Sequence, residues 1–418
     1  MMKIIIAIAL FFSTWGTSYA QLPDYILISR NTGEMEMIDG NVINIFGFTQ
    51  GLGQVTTIPS PVLVMNHGDT MHIKFRNISQ GAPHTIHPHG LDVDQQNDGV
   101  PHLSFFVEHE EWADYYITSP HPGTYIYHCH VVSSIHVQAG MYGLIIVKPS
   151  DGSDKAWDNG PEYDNEFAWL FSEIDTVWHQ EAYAHQDWDH NNHGGPQTVP
   201  SEFTPQFFLI NGKTEHQLND PSTHIMCKPD ESNILRLANI GFLMLRMILP
   251  SELNTEVIAT DGFPIPNGPL LTDTITLTPG ERYDAMLYPD QDLQDSIVVE
   301  YIDLNTQEIL NVQKVPVTIN DSIDATINDI EEITQFNVFP NPAYDFVNVQ
   351  MDFKSMSKDY SLQIRDILGR IIYSRDVPDG VPSYEKRIPI RKQSMGLYTV
   401  RLYQGDELIR LQKFIKSN

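Results

Sequence analysis

The chain is organised around two short segments, HTIHPHG at residues 84–90 and YHCHVVSSIHVQAGM at residues 127–141. Together they contain six histidines, one cysteine and one methionine, and few ordinary surface residues. Imidazole, thiolate and thioether groups are the ligands that transition metals prefer in proteins. Their concentration in two groups predicts a metal centre, and the rest of the chain is interpreted around it.

The second segment offers most of a blue copper site. Such a site uses two imidazoles, one thiolate and a weak axial thioether. Cys129, His136 and Met141 supply three of these groups in one stretch, which a loop between two adjacent strands can deliver. The remaining imidazole has to come from another strand, and His84 fits that position. The residues therefore predict copper as the cofactor.

The other four histidines form two pairs with one residue between the members. In an extended strand, residues i and i+2 point to the same face. His87 and His89 are therefore expected to share a face, and so are His128 and His130, on either side of Cys129. Two such pairs on neighbouring strands can hold one or more further copper ions. The alternative for any single pair is an exposed strand that carries two histidines by chance.

The region resembles the cupredoxin domains of multicopper oxidases, whose last domain carries HPxHxHG and HCHxxxHxxxxM. By that resemblance, the type 1 copper ligands are His84, Cys129, His136 and Met141. His87 resembles a type 2 ligand, and the type 3 ligands of a trinuclear cluster are His89, His128 and His130. The family uses eight histidines for that cluster, whereas this chain shows four at motif positions.

Two features depart from the family pattern. The spacing from Cys129 to His136 is two residues longer than in most laccase-like proteins and shorter than in copper nitrite reductases. The segment Asp98-Gly99-Val100-Pro101 resembles the first domain of the family and not the last. By resemblance, Asp98 matches an acidic residue that helps to deliver protons to the oxygen site. A turn-forming Asp-Gly pair is an equally good interpretation.

The ends and the composition of the chain indicate export. Residues 1–20 combine a lysine, an apolar run and Ser18-Tyr19-Ala20, which predicts a signal peptide. The apolar run is too short for a membrane span. The net charge of −29 argues against nucleic acid or an anionic membrane as a partner. If Cys129 binds copper, Cys227 has no partner for a disulfide within the chain.

The strand pattern predicts an all-β chain built of β-sandwiches. The resemblance implies that these are two cupredoxin-like Greek-key β-sandwich domains, followed by a small β-sandwich at the end. Residues 21–150 form the first domain and residues 151–164 a linker. Residues 165–320 resemble the middle, copper-free domain of three-domain multicopper oxidases; the matching pieces are FLINGK at 208–213, LRLAN at 235–239, VIATDG at 257–262 and LTPGERYD at 277–284. A polar stretch in this region carries His179, His185, His190 and His193, either as a solvated linker or as a metal site.

The tail of the chain has its own signature. Residues 321–335 form an acidic linker, and the last domain at 336–418 carries FNVFPNPA at 336–343, IRDILGR at 364–370 and GLYTV at 396–400. The set resembles the type A sorting domain of the type IX secretion system of Bacteroidetes. The resemblance implies export across the outer membrane, followed by release or attachment to the cell surface. It implies no catalysis.

The predicted function is an exported oxidase that takes electrons from a small donor, a phenol or a metal ion, and reduces dioxygen to water. Two copies of the first domain, face to face, would supply the eight histidines, and two-fold dimers are the commonest oligomers. One alternative is a nitrite reductase-like enzyme with one type 2 copper on His89 and His128, although such enzymes carry an aspartate where this chain has His87. Others are an electron carrier and a copper-binding protein without turnover.

Overall fold

The computed structural model describes residues 23–184, 199–321, 333–394, 396–405 and 407–416. The predicted signal peptide, most of the acidic linker, and His185, His190 and His193 lie outside these residues. The described chain folds into three successive β domains, as the alternating pattern predicts. No helix within these residues is long and apolar enough to cross a membrane.

Eight strands form the first domain: β1 Tyr25–Glu36, β2 Val42–Thr49, β3 Leu63–Asn66, β4 Met71–Asn77, β5 His87–His89, β6 Trp112–Ile117, β7 Gly123–His128 and β8 Tyr142–Lys148. One sheet has the order β2-β1-β4-β6 and the other the order β3-β8-β7-β5. The parallel pairs β1/β4 and β3/β8 require connections that cross between the sheets, as in Greek-key sandwiches. A 3₁₀ helix, Gln95–Asn97, and the helix α1, Ser133–Gln138, lie in the loops.

Strand alternation places the core of this domain between its two sheets. Along β4, every second side chain is buried, from Met71 to Asn77. β7 and β8 form the centre of their sheet and are buried along almost their whole length. Cys129 and Met141, which flank the loop between them, belong to the same buried cluster as Phe75. The loop that carries the predicted copper ligands therefore starts and ends inside the core.

The second domain contains twelve strands: β9 Asn165–Ile174, β10 Phe207–Ile210, β11 Ile225–Cys227, β12 Asn233–Asn239, β13 Met244–Ile248, β14 Glu256–Thr260, β15 Phe263–Pro264, β16 Leu270–Leu271, β17 Thr274–Leu277, β18 Arg282–Leu287, β19 Leu293–Ile302 and β20 Ile309–Ile319. One sheet has the order β10-β9-β12-β18-β14-β15, with β16 beside β14, and the other has the order β11-β20-β19-β13-β17. The helix α2, Thr176–Ala184, and two 3₁₀ helices, Glu215–Gln217 and Ser251–Leu253, connect the strands.

Part of the segment predicted as a linker between these domains, residues 151–164, packs on the second domain. Ala156 and Tyr163 are buried in a small apolar cluster with Ile234 and Met286. Tyr163 is held there because its hydroxyl lies 3.4 Å from a carboxylate oxygen of Glu166, and the ring faces two cationic side chains. The polar composition of the segment suggested solvent exposure, but Tyr163 is a core residue and Trp157 is partly buried against the same cluster.

The third domain consists of seven strands: β21 Ile333–Phe339, β22 Phe346–Phe353, β23 Tyr360–Asp366, β24 Ile371–Asp376, β25 Ser383–Pro389, β26 Gly396–Gln404 and β27 Glu407–Lys416. Its two sheets have the orders β21-β22-β25 and β24-β23-β26-β27. The turn at the end of β23 inserts Leu368 into an apolar cluster shared with the other domains. Arg365 Nη1 donates a hydrogen bond of 2.9 Å to Asp220 of the second domain. The tail thus packs on the rest of the chain through its own IRDILGR signature.

A buried network of charges joins the first two domains. Arg236 in β12 is fully buried, with Nε 2.5 Å from Glu166 and Nη1 3.4 Å from Asp284. From the first domain, Lys148 pairs with Glu166 at 2.8 Å and Thr124 donates to Asp284 at 2.5 Å. Burial alone would raise the pKa of Glu166, but the Lys148 and Arg236 charges lower it to about 2. The carboxylate therefore stays ionised inside the protein.

We expect Arg236→Met to destabilise the protein strongly, because it leaves two buried carboxylates without their shared cation. Breaking a buried pair in this way costs about 3–5 kcal/mol. Arg246→Met is the matched control, since Arg246 pairs with Glu300 on the surface of the same domain and such pairs contribute about 0–1 kcal/mol. Urea-induced unfolding of both variants measures the difference. Equal losses would show that the network does not hold the domains together.

Candidate metal centre

The structure brings His84, Cys129 and His136 together. The Sγ atom of Cys129 lies 3.6 Å from Nδ1 of His84 and 3.3 Å from Nδ1 of His136. All three side chains are buried. Their ligand atoms lie within 4.8 Å of one another, so a single metal ion can contact all of them.

The local backbone explains how residues distant in sequence meet here. Two backbone hydrogen bonds close the loop between β7 and β8. Cys129 N donates to the carbonyl of Met141, and Met141 N donates to the carbonyl of His136. The helix α1 inside this loop positions His136, whereas the sequence predicted only a loop. His84 is fixed separately by a two-way backbone pair with Val107.

Gly140 is the point at which this loop has to pass close to the core. Its φ angle is +114°, and a Cβ atom there would lie 2.6 Å from Cγ1 of Ile58 and 2.7 Å from the carbonyl of Phe46. Only glycine combines that backbone conformation with that approach. The next residue, Met141, is completely buried in the same core cluster as Cys129. The glycine therefore sets the path by which the predicted axial ligand enters the core.

The electrostatics of the three side chains suit a soft metal ion. Burial raises the pKa of Cys129 to about 11 and lowers the pKa of His136 to about 3. Burial, with a contribution from the His136 charge, lowers the pKa of His84 well below its ordinary value. Both imidazoles are therefore neutral ligands at neutral pH, and a metal ion that binds Cys129 displaces the thiol proton. The donor set of two imidazole nitrogens and one sulfur fits copper.

A second cluster contains the remaining four histidines. Strands β5 and β7 pair antiparallel, and His87 is opposite His128. Ligand atoms of His87, His89 and His128 lie within 4.8 Å of one another. The ring of His130 is 5.2 Å from that of His87 and 5.9 Å from that of His128, measured between ring centres. The alternating pattern therefore placed all four side chains on one side, although His130 stands slightly apart.

Backbone carbonyl groups fix the tautomers of two of these rings. Nδ1 of His87 donates to the carbonyl of Asp98 at 2.7 Å, and Nδ1 of His128 donates to the carbonyl of Cys129 at 3.0 Å. A carbonyl oxygen only accepts, so the proton is on Nδ1 and Nε2 of each ring is free to bind a metal. Such supporting hydrogen bonds are typical of metal-binding histidines.

Asp98 supports His87 mainly through its backbone. The Asp98 carboxylate oxygen lies farther from the same nitrogen, at 3.4 Å. Gly99 follows with φ +70°, and a Cβ atom there would collide with the backbone carbonyl of Ile86. The Asp-Gly turn interpretation is thus consistent with the geometry. A role of the Asp98 carboxylate in proton delivery stays a prediction.

Three polar groups had no recognisable signal in the sequence, and two of them, Thr85 and Arg282, contact the histidine segments. Thr85 Oγ1 accepts a 3.0 Å hydrogen bond from His130 N and ties the two histidine segments together. Arg282 of the second domain lies against Gly90. Burial is the largest cause that lowers the pKa of His89 to about 4, and the Arg282 charge is the next largest. Glu173 is buried beside the loop that follows β12. Each reaches its position by long-range packing, which a single motif does not encode.

His179 is the described residue of the polar histidine stretch. It is buried, and its Nδ1 donates to the carbonyl of Asn44 at 2.9 Å. Burial lowers its pKa. Within the described residues it does not belong to a group of three metal-ligating side chains, and the two clusters above are the groups that do.

Glu173 gives a prediction about pH. Its Oε2 accepts a hydrogen bond of 2.9 Å from Phe242 N, and its Oε1 is buried without a partner among the described residues. Burial raises the pKa of Glu173 from 4.5 to about 7. The neutral acid is thus favoured in the folded state, so stability is full below pH 4.5 and declines as pH rises through 7. Between pH 4.5 and pH 7, the free energy of unfolding of the parent should fall by about 3 kcal/mol relative to that of Glu173→Gln.

The measurement is the free energy of unfolding of metal-free protein at several pH values, for the parent and for the glutamine variant. The quantity of interest is the difference between the two proteins, because all other titrating groups cancel in it. A difference that does not change between pH 4 and pH 8 would contradict a neutral Glu173 in the folded state.

Comparison with known protein families agrees with this geometry. Two family models described as multicopper oxidase match residues 48–152 and 173–315, and together they span more than half of the chain. A third model, a secretion system C-terminal sorting domain, matches residues 337–417. The chain therefore carries a sorting domain for export through the type IX system.

Curated relatives match parts of the chain. Copper resistance protein A of Escherichia coli is 36% identical over 102 residues, which are 24% of this chain and 16% of that protein. L-ascorbate oxidase of Cucurbita maxima is 26% identical over 261 residues, which cover 56% of this chain and 41% of that protein. The chain spans less than half the length of these relatives.

Solved structures show the same fold. A blue copper oxidase from Nitrosomonas europaea superposes with a TM-score of 0.52 at 23% identity, and the match covers 71% of this chain and 85% of that chain. The match confirms the cupredoxin-like β-sandwich architecture expected from the sequence.

Proposed function

The chain belongs to the multicopper oxidase family, and we propose that it is an exported oxidase that transfers electrons from a small donor to dioxygen. The donor class is a phenol or a reduced metal ion. Copper, the cofactor of this family, supplies one-electron redox chemistry. His84, Cys129, His136 and Met141 would hold the type 1 copper, and His87, His89, His128 and His130 would hold cluster copper.

One observation carries the proposal, namely the position of Cys129 between the two sites. Its side chain lies 3.3 Å from His136 in the first site. Its backbone is bonded directly to His128 and His130, whose rings lie in the second site. In addition, His128 donates to the Cys129 carbonyl. A short covalent path with a hydrogen bond therefore connects a donor-side site with an oxygen-side site, as an oxidase requires.

Residues around the two sites would exclude water, orient the histidine rings and deliver protons. The apolar core around Cys129 excludes water from the first site, which stabilises the bond between a thiolate and a metal ion. The Asp98 and Cys129 carbonyls orient the rings of His87 and His128. The Asp98 carboxylate, which is partly exposed, is the group proposed to deliver protons to the second site.

We propose that a second copy of the chain completes the histidine cluster. The family uses eight histidines, and the described residues of this chain bring four together. His87, His89 and His130 are partly exposed, so the cluster is open on one side. A two-fold arrangement would place the same four histidines of a second copy opposite that side.

The test is a copper count on purified protein of known oligomeric state, together with the visible and paramagnetic resonance spectra and oxygen uptake with a phenol, ferrous iron or cuprous copper. An intense blue absorption, a type 2 signal and more than two coppers per chain support the oxidase. One copper per chain without a type 2 signal would make the protein an electron carrier, and two per chain with nitrite turnover would make it a reductase. An oxygen-consuming monomer would contradict the shared cluster.

A further inference from the structure

The second domain reaches the histidine cluster through the turn between β17 and β18. Gly280 in this turn has φ +86°, and a Cβ atom there would lie 3.3 Å from Cε1 of His89 and 3.4 Å from its Nε2. A bare glycine backbone therefore passes beside this imidazole ring. The approach brings the next residues of the turn, up to Arg282, to the edge of the cluster.

Arg282 is buried at this edge of the cluster and is held there by two polar contacts. Its side chain is 6% exposed, and its Nη1 donates to the carbonyl of Gly280 at 2.7 Å and pairs with Asp261 at 2.9 Å. Gly90, which directly follows His89, has φ +86°, and a Cβ atom there would collide with Nη2 of Arg282. The guanidinium group therefore lies directly against the backbone of Gly90, the residue that follows the cluster histidine His89.

The other edge of this guanidinium has no acceptor within the part of the chain that the structure describes. Nε is buried without a hydrogen-bond partner, and Nη2 has none among the described residues. An arginine presents Nε and Nη2 as a planar fork that matches two oxygen atoms of one anion. A buried donor such as Nε is costly to leave unsatisfied, and a ligand at this edge would satisfy it.

The charges at this position also favour an anion. The partly exposed Asp261 is the carboxylate that pairs directly with Arg282 among the described residues, and Asp284 and Glu281 also stabilise its charge, each less than Asp261 does. If the adjacent histidines hold copper, as proposed above, the positively charged guanidinium of Arg282 lies close to the positive charge of the metal. Buried charges of one sign require a counter-charge, and a small anion can lie between the guanidinium and the metal.

We propose that Arg282 and the His89 side of the cluster form a binding site for a small planar monoanion with two oxygen atoms, of the formate or nitrite class. This inference rests on the proposed function for its metal side, whereas its arginine side depends only on the second domain. Arg282 would bind the anion with its free Nε–Nη2 edge, while Asp261 and Gly280 hold the opposite edge. The anion would thus be held by residues of two domains.

The test uses formate, which is planar and has no redox role in the proposed reaction. Calorimetry and the paramagnetic resonance spectrum of the copper-loaded full chain report its binding. Arg282→Lys keeps the charge but loses the fork, so we expect formate affinity to fall about 10- to 100-fold, the range for one or two charge-assisted hydrogen bonds. Arg246→Lys, a surface arginine of the same domain, should leave the affinity unchanged.

A second variant protects the test against a folding defect at Arg282. Asp261→Asn removes the negative charge beside Arg282, while the amide oxygen can still accept the hydrogen bonds from Nη1 and from the backbone N–H of Arg282, so formate should bind more tightly. Equal formate affinity in the parent, Arg282→Lys and Asp261→Asn would overturn the proposal.

The same titration on metal-free protein separates this inference from the proposed function. Weaker binding that still depends on Arg282 supports the anion site even if copper counts show an empty cluster. If the protein turns over dioxygen but its formate affinity does not depend on Arg282, the anion site is contradicted and the proposed oxidase function is still supported.

Discussion

Cys129→Ala should abolish the blue colour of the protein and almost all of its oxidase activity. The change removes the only sulfur within 4 Å of the imidazoles of His84 and His136 that could act as a thiolate ligand among the described residues. It also removes the covalent route from that site to His128 and His130. We expect turnover to fall by about a thousandfold or more, the scale on which loss of an essential group acts.

Cys227→Ala is the matched control for this experiment. Cys227 is also a buried free cysteine, but it lies in β11 of the second domain. Burial raises its pKa to about 12, so it stays a neutral thiol. This variant should keep the absorption band, the copper content and the turnover number of the parent. A Cys129→Ala protein that remains blue would show that the interpretation of the first site is wrong.

The sequence predicted the two clusters because their geometry is mostly local. A strand places residues i and i+2 on one face, so the pairs around Pro88 and Cys129 needed only the pairing of β5 with β7 to meet. Cys129, His136 and Met141 lie in one loop between adjacent strands. His84 was recognised because its distance from His87 matches a family motif, and the structure places its ring 4.7 Å from that of His136.

What the sequence did not predict depends on long-range packing. The helix α1 around His136 is six residues long and contains two serines, so its helical propensity is weak and contact with α2 favours it. Arg282 is separated by 193 positions in the chain from the histidine it approaches, and no spacing rule connects them. Residues 151–164 are polar enough to resemble a linker. However, the Tyr163 side chain is buried against the second domain, and Lys148 donates a hydrogen bond to its hydroxyl.

His128→Asn should separate the two sites functionally. The His128 ring is buried, and its Nδ1 donates to the Cys129 carbonyl, so its removal takes a ligand from the cluster. Asparagine keeps an N–H group at a similar distance from the backbone, which preserves that hydrogen bond and the loop of the first site. The variant should therefore keep the blue band. Its oxygen consumption should fall by about a thousandfold or more, because the remaining three histidines cannot act as the same unit.

The decisive comparison is between reduction and reoxidation in a rapid-mixing experiment. Donor should bleach the blue band of His128→Asn at the rate of the parent, since the first site is intact, but dioxygen should fail to restore the colour. His72→Asn serves as the control, because His72 pairs with Asp114 on the other sheet at 2.7 Å and is not part of either cluster. If dioxygen reoxidises His128→Asn as fast as the parent, the first site passes its electrons to dioxygen without the histidine cluster, and the four histidines are not the oxygen site.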